Sequence, residues 1–587
     1  MASRKRMMWT RAAIVAAVMI SLPSLSNAQR GGGEPPYTPE PGATDLKSVV
    51  FNWGWYMGML RSTEEYDLLM SLTYDGTGTA QIGGQTCNVT SYRSDITYQR
   101  SGERIRITGT RPNGQSCNTI EVLSGAYTWN EDIQGAELIP GEGTATPMPA
   151  AVEERMIRLW ANPQGAWKAA MAATQNTDSP DMTGRPRNLP EDVMTVGRTS
   201  VEWIDGQPVV TFPIPGVPNA RATATLDSMF MAESVVVRNG ADTYEFAYSD
   251  YRDWNNPLHP AEAFYAGTIR ESKNGTVVRN LTTTETETGQ MYVVVPVPAS
   301  VRAAITPTHQ APNWTLTASR PPGPPAESVP TPRTADGKPD LTGSWGRSPN
   351  PISGSGSRRC APTQVAGGGI NPEFGCTGGG DNFYVDYAWI SPSRFGILGH
   401  PTYKPEHWDR IQELDMWTNK YDPIMTCRPI GIPRHGTPQR IIQTDYDVIF
   451  FYGANADYGG GNNEYRDIPI DGRELTDQQL NLSAFYGQSV GHWEGDTLVI
   501  ESINFDDSTW FGRGGFFHSG RMRTIERLTR VGNELHYDMT IEDPVVLLEP
   551  WVMPTRVVGL SANDRVMAER AHCEVYEEGN ETSQVRH

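Results

Sequence analysis

Residues 534–542, ELHYDMTIE, alternate without a break, with Leu535, Tyr537, Met539 and Ile541 on one side and His536, Asp538, Thr540 and Glu542 on the other. A period of two sends successive side chains to opposite faces, so this stretch is a strand with one face in a core and the other in water. Residues 440–444, 448–452, 488–493, 497–503 and 522–529 are further short runs separated by turn residues. That spacing predicts an antiparallel barrel or sandwich. Glu494-Gly495-Asp496 falls between two of the runs, where its acids suit a hairpin turn.

The N-terminal half mixes two periods. Leu46, Val49, Val50, Trp53, Met57 and Leu60 recur at helical spacing behind Thr44 and Asp45, either of which can cap the helix. Val152, Met156, Leu159 and Trp160 repeat the pattern until Asn162-Pro163 breaks it. Asp205-Gly206, Asn239-Gly240 and Asn274-Gly275 each sit between runs rich in Val, Thr, Tyr and Phe, and so announce hairpins. A sheet with few helices buries one face against them, which predicts an α+β layer or an open half-barrel.

Between the halves, residues 307–339 are dense in proline and poor in large apolar side chains, as an extended linker would be. The expected class is mainly β with two domains: an α+β curved antiparallel sheet over 40–305 and an antiparallel β-barrel over 340–587, joined by a linker over 306–339. Few contacts are expected to cross such a linker. A glycine-rich stretch at 354–381 lacks GxxxxGK[ST] and reads as a loop rather than a phosphate cradle.

Arg4, Lys5, Arg6 and Arg11 precede an apolar run from Ala12 to Leu25 that ends in Ser26-Asn27-Ala28, the pattern of a signal peptide over 1–28. A periplasmic or extracellular location is the expectation, with no stable membrane insertion. Loss of the four basic residues takes the formal charge from -19 to -23. An acidic chain without a Lys/Arg run disfavours nucleic acid as a partner. In an oxidising compartment the six cysteines are expected to pair, Cys87 with Cys117, Cys360 with Cys376 and Cys427 with Cys573. No CxxC or CxxCH occurs, which disfavours thioredoxin-like chemistry and attached haem.

Three resemblances add to this reading. "DGQPVVTFPI", "ARATATLDSMFMAESVVV" and "YEFAYSDYRDW", within 205–254, resemble the LolA-like lipoprotein-carrier module, whose curved sheet is filled by helices and can receive acyl chains. Some relatives of that module precede a metallo-β-lactamase-type hydrolase, but HxHxDH is absent here. "TADGKPDLTGSW", "GHWEGDTLVIE", "FDDSTW", "HSGRMRTIER" and "IEDPVVLLEPW" resemble a large family of secreted bacterial proteins that brings no established reaction with it. Gly343-Ser344-Trp345 is similar to the GxW of lipocalins, where a late arginine covers the indole; Arg556 and Arg570 are the candidate covers.

Ionisable residues that share a face with apolar ones point to a site. Met522, Glu526 and Leu528 fall on one face, Arg523, Ile525 and Arg527 on the other, and Glu501 goes with Val499 and Ile503. A buried ionisable group must be paired or shifted in pKa, so either an ion pair with Arg523 or an arginine on a neighbouring strand, or a functional role, is implied. His518 lies beside Ser519 in a Gly/Phe-rich loop and is the candidate general base, with Glu526 or Asp507 to orient it. Trp493, Glu501 and Trp510 are candidate ligand-lining residues. GxSxG, HxH, HExxH and facial-triad spacings are absent, so neither a metal nor a cofactor is expected. The leading expectation is an exported protein that binds an apolar or aromatic small molecule in a β-barrel cavity. The alternatives are an acid-base enzyme (hydrolase, lyase or isomerase) at the mouth of the C-terminal barrel, and a cell-envelope interaction protein using the linker as a spacer.

Overall fold

A computed structural model describes residues 46–57, 71–98, 101–172, 199–254, 264–288, 292–306, 329–346, 364–365, 369–370, 401–453, 464–512, 514–553 and 555–561. Its architecture is mainly β: a large curved antiparallel sheet followed by a nearly closed antiparallel barrel.

Thirteen strands form the first sheet. Ser71–Ile82 pairs with both Gln85–Thr97 and Thr276–Thr288, so the first and last long strands meet in the middle and one arm runs out from each. Bulges at Asp75/Gly76 and Gly76/Gly78 bend the central strand. Gly78 has φ +148° there, and a Cβ would stand 2.1 Å from the Asn280 carbonyl oxygen, so only glycine fits. Two of the expected hairpins turn on Asp205-Gly206 and Asn274-Gly275, all at positive φ. In the third, Asn239 pairs with Asp242, which moves the turn one residue on, to Gly240-Ala241.

The helices form where the apolar spacing puts them, at Leu46–Tyr56 and Val152–Ala161. Asn162-Pro163 ends the second helix and also begins another, Pro163–Ala172. Pro163 occupies a first-turn position that needs no amide proton, and the Asn162 side chain accepts from Gly165 N at 2.8 Å. Val152–Ala161 lies across the sheet with charged groups beneath it. Arg155 donates to the Val122 and Trp129 carbonyls, while Arg158 and Arg279 both bond Glu121 and Glu271. Burial opposes ionisation of Glu121, but Arg279, Arg158 and Arg155 outweigh it and hold this carboxyl at about 2. The expected Cys87–Cys117 disulfide is present. Cys427 is also disulfide-bonded; Cys360, Cys376 and Cys573 lie outside the described residues.

The barrel runs Glu464–Pro469, Asp447–Tyr452, Arg440–Gln443, Gly343–Trp345, Arg556–Ser561, Glu534–Glu542, Arg523–Val531, Thr497–Ile503, Gln488–Glu494, and Trp551–Val552 pairs beside Glu534–Glu542. Trp345 is buried and donates to the Leu341 carbonyl at 3.0 Å. Its arginine cover is neither of the two expected: the Arg530 guanidinium lies 5.2 Å from the ring centre. The carbonyls of Gly532 and Asp340 hold Arg530 in place. Arg556 lies instead over Tyr537, and Arg570 is outside the described residues.

The two sheets are docked, not merely tethered. Tyr292 packs edge-on against Tyr403 and Phe516, and Arg104 lies 4.5 Å above Trp408, at the start of helix Trp408–Met416. Gln412 donates to the Tyr292 carbonyl, and Arg106 meets Asp409 at 3.0 Å. Trp408 is buried, and truncating such an indole costs about 3–5 kcal/mol. Cleavage within 306–328 is therefore expected to leave two fragments that co-elute on gel filtration, and Trp408→Ala is expected to let them separate. Separate elution of the unsubstituted fragments would show that this contact does not hold them together.

Candidate functional site

Strand parity turns a set of polar side chains into the barrel. Along Arg523–Val531, Thr524, Glu526, Leu528 and Arg530 are buried; along Glu534–Glu542, Leu535, Tyr537, Met539 and Ile541 are. Ser489, Ser502, Arg466, Tyr452 and Arg556 are buried on their own strands. Tyr537 stands opposite Arg556, Leu528 opposite Tyr537, and Ser502 opposite both Ser489 and Thr524.

Arg466 and Glu526 are the centre of this set. Arg466 Nη2 donates to Glu526 Oε1 at 2.7 Å and Nη1 donates to Oε2 at 3.1 Å, a bidentate pair. The same guanidinium donates to Tyr452 Oη at 3.0 Å and to the Ser489 and Ser502 hydroxyls at 2.9 Å. Tyr537 Oη donates to Glu526 Oε2 at 2.6 Å. Burial works against the charge on Arg466, but Glu526 outweighs it and raises its pKa. Burial pushes the Tyr452 phenol up to about 12, and burial together with Glu526 lifts Tyr537 further, so both hydroxyls stay protonated.

One aromatic stack adjoins the network. Tyr452 stacks on Tyr486 with centroids 5.2 Å apart and on His435 at 4.9 Å. His435 Nε2 faces the Gly453 carbonyl at 3.0 Å, and a carbonyl only accepts, so Nε2 carries the proton. Nδ1 lies 2.6 Å from the Tyr486 hydroxyl, within hydrogen-bond distance. Arg434, just before it, makes a buried bidentate pair with Asp422 at 2.7 and 2.8 Å.

Arg556 is the exception in this interior. It is buried, its guanidinium carbon lies 4.5 Å from the Tyr537 ring centre, and none of its three nitrogens has a hydrogen-bond partner among the described residues.

The residues singled out from the sequence fall in several places. Glu526 is in the barrel interior. His518 is buried elsewhere: its Nδ1 donates to the Ser519 carbonyl at 3.0 Å, and Nε2 accepts from Thr509 Oγ1 at 2.6 Å. It stacks on Phe511, and burial lowers its pKa. The hydrogen bonds of His518 and Glu526 thus lead to different partners, and Asp507 is exposed. Trp510 is buried, Trp493 carries Lys338 over its ring at 5.9 Å, and Glu501 pairs with Arg523 on the outer face at 2.6 Å. Tyr452, Arg466 and Tyr537 were not among those candidates. Arg466 carries a sequence signal only in retrospect: with Ile468 it shares a face of EYRDIP, next to a strand whose inward residues are Val448, Phe450 and Tyr452. Among the described residues, no group of three or more His, Cys, Asp and Glu is placed to hold a metal ion.

Compared with known protein families and with curated proteins, the chain matches none.

Removing one member of a buried ion pair strands the other, at about 3–5 kcal/mol. Glu526→Ala is expected to lose that much in urea unfolding, and Arg466→Met with Glu526→Leu to lose less than the two single variants summed. Additive losses would mean the pair is not coupled. For His518, the unfolded chain takes up a proton near pH 6.5 before the folded one does, so stability is full above about that pH and falls as pH drops toward the lower folded-state value. The melting temperature of His518→Asn is expected to fall less between pH 7 and pH 5 than that of the unsubstituted protein. Parallel curves would remove His518 from that titration.

Proposed function

We propose that this is an exported small-molecule-binding protein whose C-terminal barrel receives an apolar or aromatic compound. The observation that carries the reading is the aromatic stack of His435, Tyr452 and Tyr486, joined through Tyr452 to polar groups on the inward face of the barrel. Flat rings offer a large apolar contact, and the adjoining hydroxyls and guanidinium groups orient a guest. A guest would enter most easily between Glu464–Pro469 and Gln488–Glu494, the two ends of the strand path, which side chains rather than a backbone ladder link among the described residues. Export is supported by the charged and apolar N-terminal pattern, and a buried disulfide suits an oxidising compartment. The acid-base reading drew on His518, Glu526 and Asp507 acting together, and it has less support, since both ring nitrogens of His518 are engaged within the protein.

A guest that binds only the folded chain stabilises it by about 2.7 kcal/mol at a hundred times its Kd. Thermal shift of the full chain with aromatic compounds and medium-chain lipids is expected to reveal guests that raise the melting temperature, an effect that Tyr486→Ala weakens. If no compound in either series shifts the transition, or if the shift is the same in Tyr486→Ala, the barrel interior is not the binding site.

A further inference from the structure

The unpartnered guanidinium inside the barrel goes beyond the bare reading of a small-molecule site, and rests on it. Charge bookkeeping around Tyr537 is short. Arg466 and Arg556 each bring a positive charge, and among the described residues that meet them Glu526 brings the one negative charge. Both oxygens of Glu526 are already engaged, Oε1 by Arg466 and Oε2 by Arg466 and Tyr537. Tyrosinate cannot make up the difference, because burial holds Tyr452 and Tyr537 protonated. Nor can Arg556 shed its proton: burial lowers its pKa from the ordinary guanidinium value, yet arginine stays charged in proteins. One cation is left over, out of water, with no carboxylate of its own: the Tyr537 side chain lies beside it, but none of its nitrogens meets an acceptor in hydrogen-bond geometry among the described residues.

A buried ion without a partner is costly enough that native interiors avoid it unless something completes the site. The Tyr537 ring lies against the guanidinium, and no described acceptor is in hydrogen-bond geometry with its nitrogens, which leaves N–H groups for a ligand. Those groups match a carboxylate in spacing and direction, two parallel N–H···O bonds at a time. Arg466 already makes that contact with Glu526 in the same interior. Arg466 Nε and Thr524 Oγ1, also buried and turned inward, have no partners either, so further donors are free on this face.

We infer that the barrel's ligand is a carboxylate, an apolar or aromatic acid whose anionic head is bound by Arg556 and whose body lies against the aromatic stack. The head neutralises the surplus charge, and the body supplies the apolar contact.

Matched pairs differing only in charge test this: decanoate with decanamide, phenylacetate with phenylacetamide and benzoate with benzamide, titrated against the full chain at constant ionic strength, with acetate and chloride as simple anions. At least one acid is expected to bind about tenfold or more tighter than its amide, the scale of a lost charge-assisted bidentate contact. Arg556→Met is expected to abolish that preference, and Arg556→Lys to retain part of it. The methionine variant is also expected to melt higher than the unsubstituted protein when both are ligand-free, since an uncompensated buried charge has gone. Acids and amides that bind alike would overturn the carboxylate assignment and leave the small-molecule reading in place. Binding of neither series would overturn both. A response to acetate and chloride equal to that of the larger acids would overturn the assignment by reducing the site to one for an adventitious ion only. An acid preference that survives in Arg556→Met would place the anion elsewhere.

Discussion

The barrel depends on one ion pair. Its strand path has two free ends, Glu464–Pro469 and Gln488–Glu494, and Arg466 on the first reaches over to the second, to the strand beyond it and to Glu526 on the next. A backbone ladder would have joined two strands; this one guanidinium joins five, Tyr452 on Asp447–Tyr452 included, because its donors fan out in a plane. Such a closure specifies register: a slip of one residue on Glu464–Pro469 would turn Arg466 to solvent and put Tyr465 or Asp467 inside. Hydrophobic burial supplies most of the barrel's stability, and the pair selects which barrel forms.

The N-terminal sheet solves a related problem with the same chemistry. A single helix has to hold two arms that separate away from their shared centre, and Val152–Ala161 does so with Arg155 on the arm containing Val122 and Trp129 and Arg158 on both Glu121 and Glu271. Arg279 repeats the two acidic contacts from the sheet itself. The apolar side chains of both halves then join one cluster, which runs from Trp53 and Trp160 through Tyr292 and Tyr403 to Phe511 and Trp551. A proline-rich connection therefore does not make two independent bodies once Trp408 and Tyr403 are seated.

What the sequence made legible was local. Alternation along 534–542 named the buried face residue by residue, the two helices lay where their apolar spacing put them, and Asp205-Gly206 and Asn274-Gly275 turned as their permissive φ allows. What it hid was distant or two-sided. Asn162-Pro163 reads as a stop, yet the same pair is a start, and only the chain beyond it decides. Glu526 was recognisable as an acid sharing a face with Met522 and Leu528, while which face turns inward was not, and its partner lies 60 residues away, across a gap between strands that no local pattern describes. The GxW closure was legible as a motif, while its arginine was not: Arg530 serves because backbone carbonyls of Asp340 and Gly532 aim it, and carbonyls have no sequence signature. His518 drew attention as a histidine in a glycine-rich loop, and the structure turns both of its nitrogens to protein partners.

The two interiors differ in one respect that bears on function. Under the N-terminal helix, Arg155, Arg158 and Arg279 all end on acceptors within the sheet, so the charges there complete one another and ask nothing of a guest. In the barrel, the acid is fully engaged by one arginine and a tyrosine while the second arginine keeps its donors free. Resemblance to a lipid-carrier module drew attention to the concave face of the first sheet, but the guanidinium whose nitrogens all lack partners among the described residues lies in the second. A cavity lined only by apolar groups accepts any guest that fits; one with a surplus cation discriminates, because every neutral guest leaves that cation bare. On the proposed reading, the aromatic stack and the unpaired guanidinium would act on different parts of a guest, one through contact area and the other through charge.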